Sequence, residues 1–227
     1  MECIVLAGGL GTRLREVVEE VPKCLAPVAG KPFLAHVLLY LEAQFVDHVI
    51  LSLGYQHEQV IEWLRHKAFT FKLSWVIEKE PRGTGGGIKL ALNKSKEQKV
   101  FVLNGDTLFR VALRKMESIL QEEDKAVLAL KPMKEFSRYG SVTLNEEQQI
   151  IAFKEKTFVE EGLINGGIYL LNKSQEDFSN FPDKFSFEQD FLEQQLSAPS
   201  LRAYVSDSYF IDIGIPEDYQ RAQTELA

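Results

Sequence analysis

The stretch that decides the fold lies near the start of the chain, where a β-branched apolar segment runs into three glycines and two arginines: Ile4-Val5-Leu6-Ala7-Gly8-Gly9-Leu10-Gly11-Thr12-Arg13-Leu14-Arg15. The apolar segment predicts a buried first strand. The glycines let the backbone turn sharply after this strand and approach a ligand, because glycine carries no Cβ. A strand followed by such a turn is typical of a phosphate-binding loop.

Two basic residues place positive charge around the predicted loop. Successive glycine N–H groups can point at one anion, and Arg13 and Lys23 add fixed charge beside them. A guanidinium can hold two phosphate oxygens at once, whereas an ammonium acts as a point charge that can follow a leaving group. The combination favours a polyphosphate ligand. An ordinary tight turn with two surface cations is the alternative interpretation.

Spacing argues against two common nucleotide-binding motifs. The dinucleotide fingerprint needs a further glycine where Leu14 stands, and no ribose-binding acid follows the second predicted strand at Leu51-Ser52-Leu53. The Walker pattern needs Gly-Lys-Ser/Thr five residues after its first glycine, and neither the segment from Gly8 nor the one from Gly83 supplies it. Dinucleotide binding is therefore disfavoured, and P-loop ATPase chemistry is excluded.

Length and composition limit the classes of protein. The chain has 227 residues, 45% hydrophobic content and a net charge of −7. We expect a single domain over 1–227, and no nucleic-acid or anionic-membrane partner, since both require a basic face. With no spanning apolar run and no signal-peptide pattern, a cytoplasmic location is expected. Two cysteines indicate neither a disulfide framework nor a clustered metal site, and the four histidines are expected at the surface.

Hydrophobic periodicity predicts an α/β fold whose two halves differ. Up to residue 131, strands alternate with helices, which implies a parallel sheet. The predicted strands there are 48–53, 71–77, 99–103 and 126–130, and the predicted helices are 32–45, 56–66, 86–93 and 111–123. Beyond residue 131 the strands are short and closely spaced, which indicates a mixed or antiparallel extension. These later elements are strands at 141–144, 150–153, 163–171 and 209–213 and helices at 187–196 and 216–224.

Two aspartates are candidate metal ligands. Asp106 follows an apolar strand, so it is expected at the carboxyl edge of the sheet, where open α/β sheets bind ligands. Asp212 lies in a short apolar strand, where an unpaired carboxylate is costly and needs a cationic partner. Magnesium on a nucleotide takes one or two carboxylates together with phosphate oxygens and waters. A helix cap or turn is the alternative interpretation of Asp106.

The residues around the loop resemble the signature of the sugar-1-phosphate nucleotidyltransferase family. The match consists of Gly-Gly-Leu-Gly-Thr-Arg-Leu followed by Pro22-Lys23, although Arg15-Glu16 stands where the family usually has a proline. Further segments match in the family's order from residue 4 to about residue 222. They are Glu78 to Gly87 with Arg82 in place of leucine, Gly105-Asp106, Tyr139-Gly140, Glu155-Lys156, Asn165-Gly166-Gly167, and Ile211 to Tyr219 with Ile215 in place of threonine.

The resemblance implies a role for each matching residue, with a nucleotide-binding half (1–131) and a sugar-binding half (132–227) on a Rossmann-like, mostly parallel mixed sheet. The implied catalytic residues are Arg13, Lys23, Asp106, Lys156 and Asp212, with Mg²⁺ on Asp106 and Asp212. The implied nucleotide-binding residues are Leu6, Ala7, Gly8, Gly9, Gly11, Thr12, Glu78, Glu80, Gly83, Thr84, Gly85 and Asn104. The implied sugar-binding residues are Gly105, Tyr139, Gly140, Glu155, Asn165 and Gly166.

The resemblance also implies a reaction, in which a sugar 1-phosphate attacks the α-phosphorus of a nucleoside triphosphate and expels pyrophosphate. A carboxylate at the base-binding loop matches the two adjacent donors of guanine and mismatches a pyrimidine, so Glu78, or else Glu80, favours GTP. A manno-configured heptose 1-phosphate is the expected acceptor. Mannose 1-phosphate with GTP, N-acetylmuramate 1-phosphate with UTP, and a regulatory subunit that senses nucleotide sugars without turnover are the alternatives. A homo-oligomer is possible within this family.

Overall fold

The computed structural model describes residues 1–9, 14, 18, 21–197 and 200–227. The predicted loop residues Gly11, Thr12 and Arg13 lie outside the described residues. The strands are β1 (Glu2–Ala7), β2 (Pro27–Val28), β3 (Lys31–Pro32), β4 (His48–Leu53), β5 (Lys72–Ile77), β6 (Lys99–Asn104), β7 (Thr107–Phe109), β8 (Ala126–Phe136), β9 (Ser141–Leu144), β10 (Ile150–Lys154), β11 (Val159–Asn172), β12 (Leu201–Val205) and β13 (Phe210–Asp212). The α-helices are α1 (Phe33–Ala43), α2 (His57–Arg65), α3 (Gly83–Leu92), α4 (Leu113–Ser118) and α5 (Pro216–Glu225).

The central sheet is mostly parallel on one side and antiparallel on the other. Its hydrogen-bonded order is β10-β9-β11-β6-β1-β4-β5, and β8 pairs with β11 and with β12. Strands β1, β4, β5 and β6 run parallel, with Val5 opposite Leu51 on one side and Leu103 on the other. β11 runs antiparallel to β6, β8 and β9. The predicted mostly parallel mixed sheet with an antiparallel extension is confirmed.

Two hydrophobic clusters cover the two faces of this sheet. Successive residues of a strand point to opposite faces, so Val5 packs into one cluster while Ile4 packs into the other. The first cluster includes Phe33 and Leu38 of α1, and the second includes Phe187 and Phe191. Burial on both faces explains why β1 reads as a continuous apolar run instead of an alternating one.

Several predicted elements differ in their bounds. Helix α3 begins at Gly83, three residues before the predicted start. Strand β8 continues to Phe136, because its outer half pairs with the long strand β11, so residue 131 lies inside a strand. Strand β12 was not predicted. The predicted helix 187–196 is a π-helical turn (Phe187–Leu192) followed by a 3₁₀ turn (Glu193–Ser197).

Two buried polar contacts accompany other departures from the prediction. The helix predicted to reach residue 123 ends at Ser118. Beyond it, Asp124 accepts a hydrogen bond from the Gln121 N–H and pairs with Arg202 at 2.6 Å. The expectation of surface histidines is wrong for His48, which is 7% exposed and hydrogen-bonds Glu2. No helix among the described residues is long and apolar enough to cross a membrane.

Candidate active site

The parallel strands end at one edge of the sheet, and a cavity of about 310 Å³ lies there. It is lined by residues from the ends of β1 and β6, the turn around Lys23, and the segment between β5 and α3. The lining residues are Leu6, Ala7, Gly8, Gly9, Lys23, Cys24, Glu78, Pro81, Arg82, Gly83, Thr84, Asn104, Gly105 and Asp106. The structure therefore brings most of the predicted nucleotide-binding residues together around one opening.

An ion pair occupies the centre of this edge. Lys23 Nζ lies 2.5 Å from Asp106 Oδ2, although the two residues are far apart in the chain. Lys23 is positioned by a 3₁₀ turn, and Asp106 by the tight turn between β6 and β7. Gly105 is required in that turn, because a Cβ there would lie 2.5 Å from the carbonyl oxygen of Leu6. The glycine next to the acid thus permits a close approach of two backbones.

Strand pairing brings Asp212 to the same place. β13 pairs with β7, so that Asp212 lies opposite Thr107, and the Ile213 N–H donates to the Asp106 carbonyl at 3.0 Å. Asp212 Oδ1 accepts a hydrogen bond from the Gly214 N–H at 2.7 Å. A Cβ on Gly214 would lie 2.8 Å from that oxygen and 3.4 Å from Lys23 Nζ. The three charged groups therefore form one compact cluster, which we call the charged centre.

The charged centre contains two carboxylates and one ammonium group. Burial, and after it the charge of Asp106, raise the pKa of Asp212, while Lys23, the Gly214 N–H and Arg138 act in the opposite direction. Two neighbouring carboxylates of this kind suit a divalent cation that is also bound by phosphate oxygens. Among the described residues there is no group of three or more histidine, cysteine or acidic side chains that could hold a metal ion.

Glu78 also lines the cavity. Its Oε1 accepts a hydrogen bond from the Ser52 hydroxyl at 2.9 Å, and its Oε2 accepts one from the Arg82 N–H at 3.2 Å. A Cβ on Gly8 would lie 2.8 Å from Glu78 Oε1, so this glycine makes room for the carboxylate. The other candidate for base recognition, Glu80, is exposed and does not line the cavity.

The second glycine-rich segment packs against the protein itself. Gly83 has a φ of +72°, and a Cβ there would lie 2.5 Å from the Phe185 carbonyl oxygen. Gly85 lies against the Phe185 ring, with its N–H donating to the Phe185 carbonyl at 3.1 Å. The Thr84 hydroxyl donates to Glu188 at 2.6 Å. These residues form the first turn of α3, and its packing explains Gly83 and Gly85 without a ligand.

The predicted sugar-side residues reach the charged centre through Tyr139. The Tyr139 hydroxyl donates to Asp212 Oδ2 at 3.5 Å and receives a hydrogen bond from Arg138 at 2.6 Å. Burial, followed by the charge of Asp212, raises the pKa of Tyr139 to about 12. The Arg138 guanidinium also pairs with Asp218 at the start of α5. Sequence reasoning missed Arg138, although it directly precedes the Tyr-Gly pair.

The remaining predicted sugar-side residues lie farther from the charged centre. A Cβ on Gly140 would lie 2.5 Å from the Lys154 carbonyl oxygen, so this glycine abuts the end of β10. Glu155 and Lys156 follow there, exposed, and in the described part of the chain neither contacts the charged centre.

Asn165 and Gly166 lie where the pairing of β11 with β8 changes register. A Cβ on Gly166 would lie 2.4 Å from the Phe109 ring, so close packing requires this glycine.

The family follows from a comparison with known proteins. The family model described as Nucleotidyl transferase matches residues 2–227. The chain belongs to this family, so it is a nucleotidyltransferase.

Two similar proteins have the same activity, and a similar solved structure contains a nucleotide analogue. A D-glycero-alpha-D-manno-heptose 1-phosphate guanylyltransferase from Aneurinibacillus thermoaerophilus is 50% identical over 227 residues, which cover 100% of this chain and 98% of that protein. A protein of the same name from Campylobacter jejuni is 45% identical over 219 residues, which cover 96% and 97%. The crystal structure of HddC from Yersinia pseudotuberculosis complexed with GMP-PN matches with a TM-score of 0.88 at 38% identity and covers 100% of this chain and 99% of that one.

Proposed function

We propose that this chain transfers GMP from GTP to D-glycero-α-D-manno-heptose 1-phosphate, forming a GDP-sugar and releasing pyrophosphate. The observation that carries the proposal is the charged centre of Lys23, Asp106 and Asp212, which lies beside the cavity in a chain 50% and 45% identical to two such guanylyltransferases over almost its whole length. The alternatives with mannose 1-phosphate or with UTP share the same chemistry and differ only in the shape and polarity of the pocket.

The reaction needs positioning more than acid–base chemistry. An oxygen of the sugar phosphate forms a bond to the α-phosphorus, and the bond from the α-phosphorus to the oxygen of pyrophosphate breaks. The attacking oxygen is already anionic, so no strong base is required. The protein has to bring two mutually repelling anions together and neutralise the charge that develops on the phosphates. Lys23 is placed to neutralise part of that charge, and we assign Arg13 the same role.

Asp106 and Asp212 fit the binding of a magnesium ion. Their carboxylates are close enough for one to raise the pKa of the other, and oxygen ligands of this kind are those that magnesium prefers. When bound, the ion neutralises phosphate charge and orients the triphosphate. The Lys23 ammonium holds the Asp106 carboxylate in place through their ion pair, and the Gly214 N–H holds Asp212 Oδ1 through a hydrogen bond.

The two substrates are assigned to two sides of the charged centre. We place the base near Glu78, whose two oxygens each accept one hydrogen bond from the protein and retain lone pairs for the two donors of guanine. We place the sugar phosphate near Tyr139, Glu155 and Lys156. The division into halves at residue 131, a cytoplasmic location and a homo-oligomeric state stay predictions.

The test is a pyrophosphate-release assay over a matrix of nucleoside triphosphates and sugar 1-phosphates. We expect the fastest turnover with GTP and the manno-configured heptose 1-phosphate, slower turnover with mannose 1-phosphate, and none without a divalent cation. Turnover of UTP with an N-acetylated sugar phosphate, and none with GTP, would overturn the substrate assignment. Binding of GTP without turnover of any acceptor would support a regulatory subunit.

A further inference from the structure

Glu188 lies outside the charged centre, yet its carboxylate connects Thr84, which lines the cavity, to strand β11. It is half-buried in the π-helical turn that packs on α3. Its Oε2 accepts hydrogen bonds from the Thr84 hydroxyl at 2.6 Å and from the Ser186 hydroxyl at 3.2 Å. Its Oε1 accepts a hydrogen bond from the Tyr169 hydroxyl at 3.3 Å. One carboxylate therefore joins the first turn of α3 to strand β11.

The link to α3 fixes the nucleotide side of the cavity. The Thr84 hydroxyl donates to Glu188 and accepts from the Phe187 N–H at 2.9 Å. It therefore both donates and accepts a hydrogen bond within the protein. Thr84 and its neighbour Gly83 line the cavity. The position of this wall therefore depends on the Glu188 carboxylate.

The link to β11 fixes the sugar side. Tyr169 is 1% exposed, and its hydroxyl accepts a hydrogen bond from Asn165 Nδ2 at 2.9 Å while it donates to Glu188. Asn165 Oδ1 accepts the Gly167 N–H at 3.0 Å, and Gly167 has a φ of +71°. These bonds hold the irregular part of β11, where the register against β8 shifts. Through Tyr169, the same carboxylate therefore orients the Asn165 amide.

The donor and acceptor roles in this hydrogen-bond network depend on a carboxylate at Glu188. An ionised glutamate only accepts hydrogen bonds, so all three hydroxyls must donate to it. The Tyr169 and Thr84 oxygens are then free to accept from Asn165 and Phe187, as they do. A glutamine has the same shape but presents N–H donors on one side, which reverses or removes at least one bond in the chain.

We propose that Glu188 is a positioning residue that couples the nucleotide subsite to the sugar subsite, because it holds Thr84 directly and Asn165 through Tyr169. The proposal rests on the proposed function, which assigns α3 to the nucleotide and the irregular part of β11 to the sugar. Ordering one subsite then favours order in the other, since both depend on one acceptor.

The test is a double-mutant cycle with Thr84→Val and Tyr169→Phe, each of which removes one arm of the network. In the wild-type background we expect each variant to lower kcat/KM by about tenfold and the double variant to lie within about threefold of the worse single variant. In the Glu188→Gln background, which itself lowers kcat/KM for both substrates, each further change should cost less than about twofold. A residue that only stabilises the fold would not produce this non-additivity.

Two results would overturn the proposal. One is that the effects of Thr84→Val and Tyr169→Phe multiply fully in the wild-type background, a comparison that remains available if Glu188→Gln does not fold. The other is that Glu188→Gln leaves both KM values unchanged. The matched control is Glu193→Gln, an exposed acid in the following turn, which should behave as wild type.

The substrates for this cycle are the fastest pair that the wild-type chain selects in the matrix assay. A failure of the proposed function therefore appears in the wild type, before any variant is measured. A failure of the coupling appears only in the comparison among variants.

Discussion

Carboxylates at the two edges of the central sheet lie in opposite electrostatic environments. At the carboxyl edge, burial and the charge of Asp106 raise the pKa of Asp212, so its ionised form is disfavoured. At the amino edge, Glu2 is 6% exposed, and burial acts to raise its pKa, yet hydrogen bonds from its surroundings lower the pKa to about 2. Glu2 lies on strand β1 of the central sheet, whereas Asp212 lies on β13, which pairs with β7 in a separate two-stranded sheet. Glu2 is buried and Asp212 is partly buried.

The difference arises from the neighbours of each group. Glu2 Oε2 accepts hydrogen bonds from the Ser95 hydroxyl at 2.6 Å, the Lys96 N–H at 2.7 Å and the Glu97 N–H at 3.0 Å, and His48 lies 2.9 Å from Oε1. The protein therefore satisfies this carboxylate fully. The carboxyl edge instead collects repelling charges that a ligand can neutralise, which is the arrangement of a functional site.

The largest expected effect is at the charged centre. Asp106→Asn and Asp212→Asn should each lower turnover by about a hundredfold or more, because each removes a proposed metal ligand and an ionic charge. The Asp212 pKa is raised in the folded state, so above that pKa the ionised group destabilises the fold, and Asp212→Asn should leave the melting temperature unchanged or higher. Steady-state kinetics at saturating magnesium and thermal melts measure both.

The Asp106→Asn and Asp212→Asn variants should differ in melting temperature. Asp106→Asn leaves Lys23, 12% exposed, without its ionic partner and should lower the melting temperature. Near-wild-type turnover in either variant would remove that acid from the site.

At the amino edge, Glu2→Gln should lower the free energy of unfolding by about 2 kcal/mol while leaving turnover of the folded enzyme unchanged. The Glu2 pKa is lowered on folding, so its contribution is complete above pH 4.5 and is lost as the pH falls toward about 2. Urea unfolding as a function of pH should therefore show the two proteins converging over this interval.

The matched control at the same edge is Asp47, which pairs with the N-terminal ammonium while 80% exposed. Asp47→Asn should change stability by less than about 0.5 kcal/mol, because exposed ion pairs contribute little. Equal losses in the free energy of unfolding for Glu2→Gln and Asp47→Asn would mean that burial does not distinguish the contributions of the two carboxylates.

Within the carboxyl edge, the two lysines should separate the substrates. Lys23→Ala should weaken binding of the triphosphate by about tenfold, and Lys156→Ala should weaken the sugar phosphate by a similar factor, because each removes one cation from one phosphate group. Calorimetry with each substrate alone measures the split. If both variants weaken both substrates equally, the assignment of the two sides is wrong.

The smallest effect concerns the base. Glu78→Gln should reduce the preference for GTP over UTP by a few fold to about tenfold, since a carboxylate matches the two guanine donors and an amide does not. The relative kcat/KM values for the two nucleotides measure it, and Glu80→Gln is the control because Glu80 is exposed. An unchanged preference in Glu78→Gln would leave Glu78 with only its structural bonds to Ser52 and the Arg82 N–H.

Local patterns predicted the elements that depend on local chemistry. The apolar run of β1 and the helical spacing of apolar residues in α1 identify buried elements, because hydrophobic periodicity can be recognised within a short window of sequence. Asp106 and Lys23 could be selected as site residues because each stands in a short recognisable segment. By contrast, the segment after α4 is joined through Asp124 to Arg202, 78 residues away, and no local pattern contains that information.

The sequence by itself determined the class of fold and the two acids and the lysine of the charged centre, since these follow from residue type and short-range spacing. Only the tertiary structure decided that Gly83 and Gly85 pack against Phe185, that Glu78 lines the cavity while Glu80 does not, and that Glu188 bonds Thr84 across 104 residues. The physical reason is that hydrogen bonds and close packing between distant segments depend on strand order and register, which a chain acquires only when its whole core assembles.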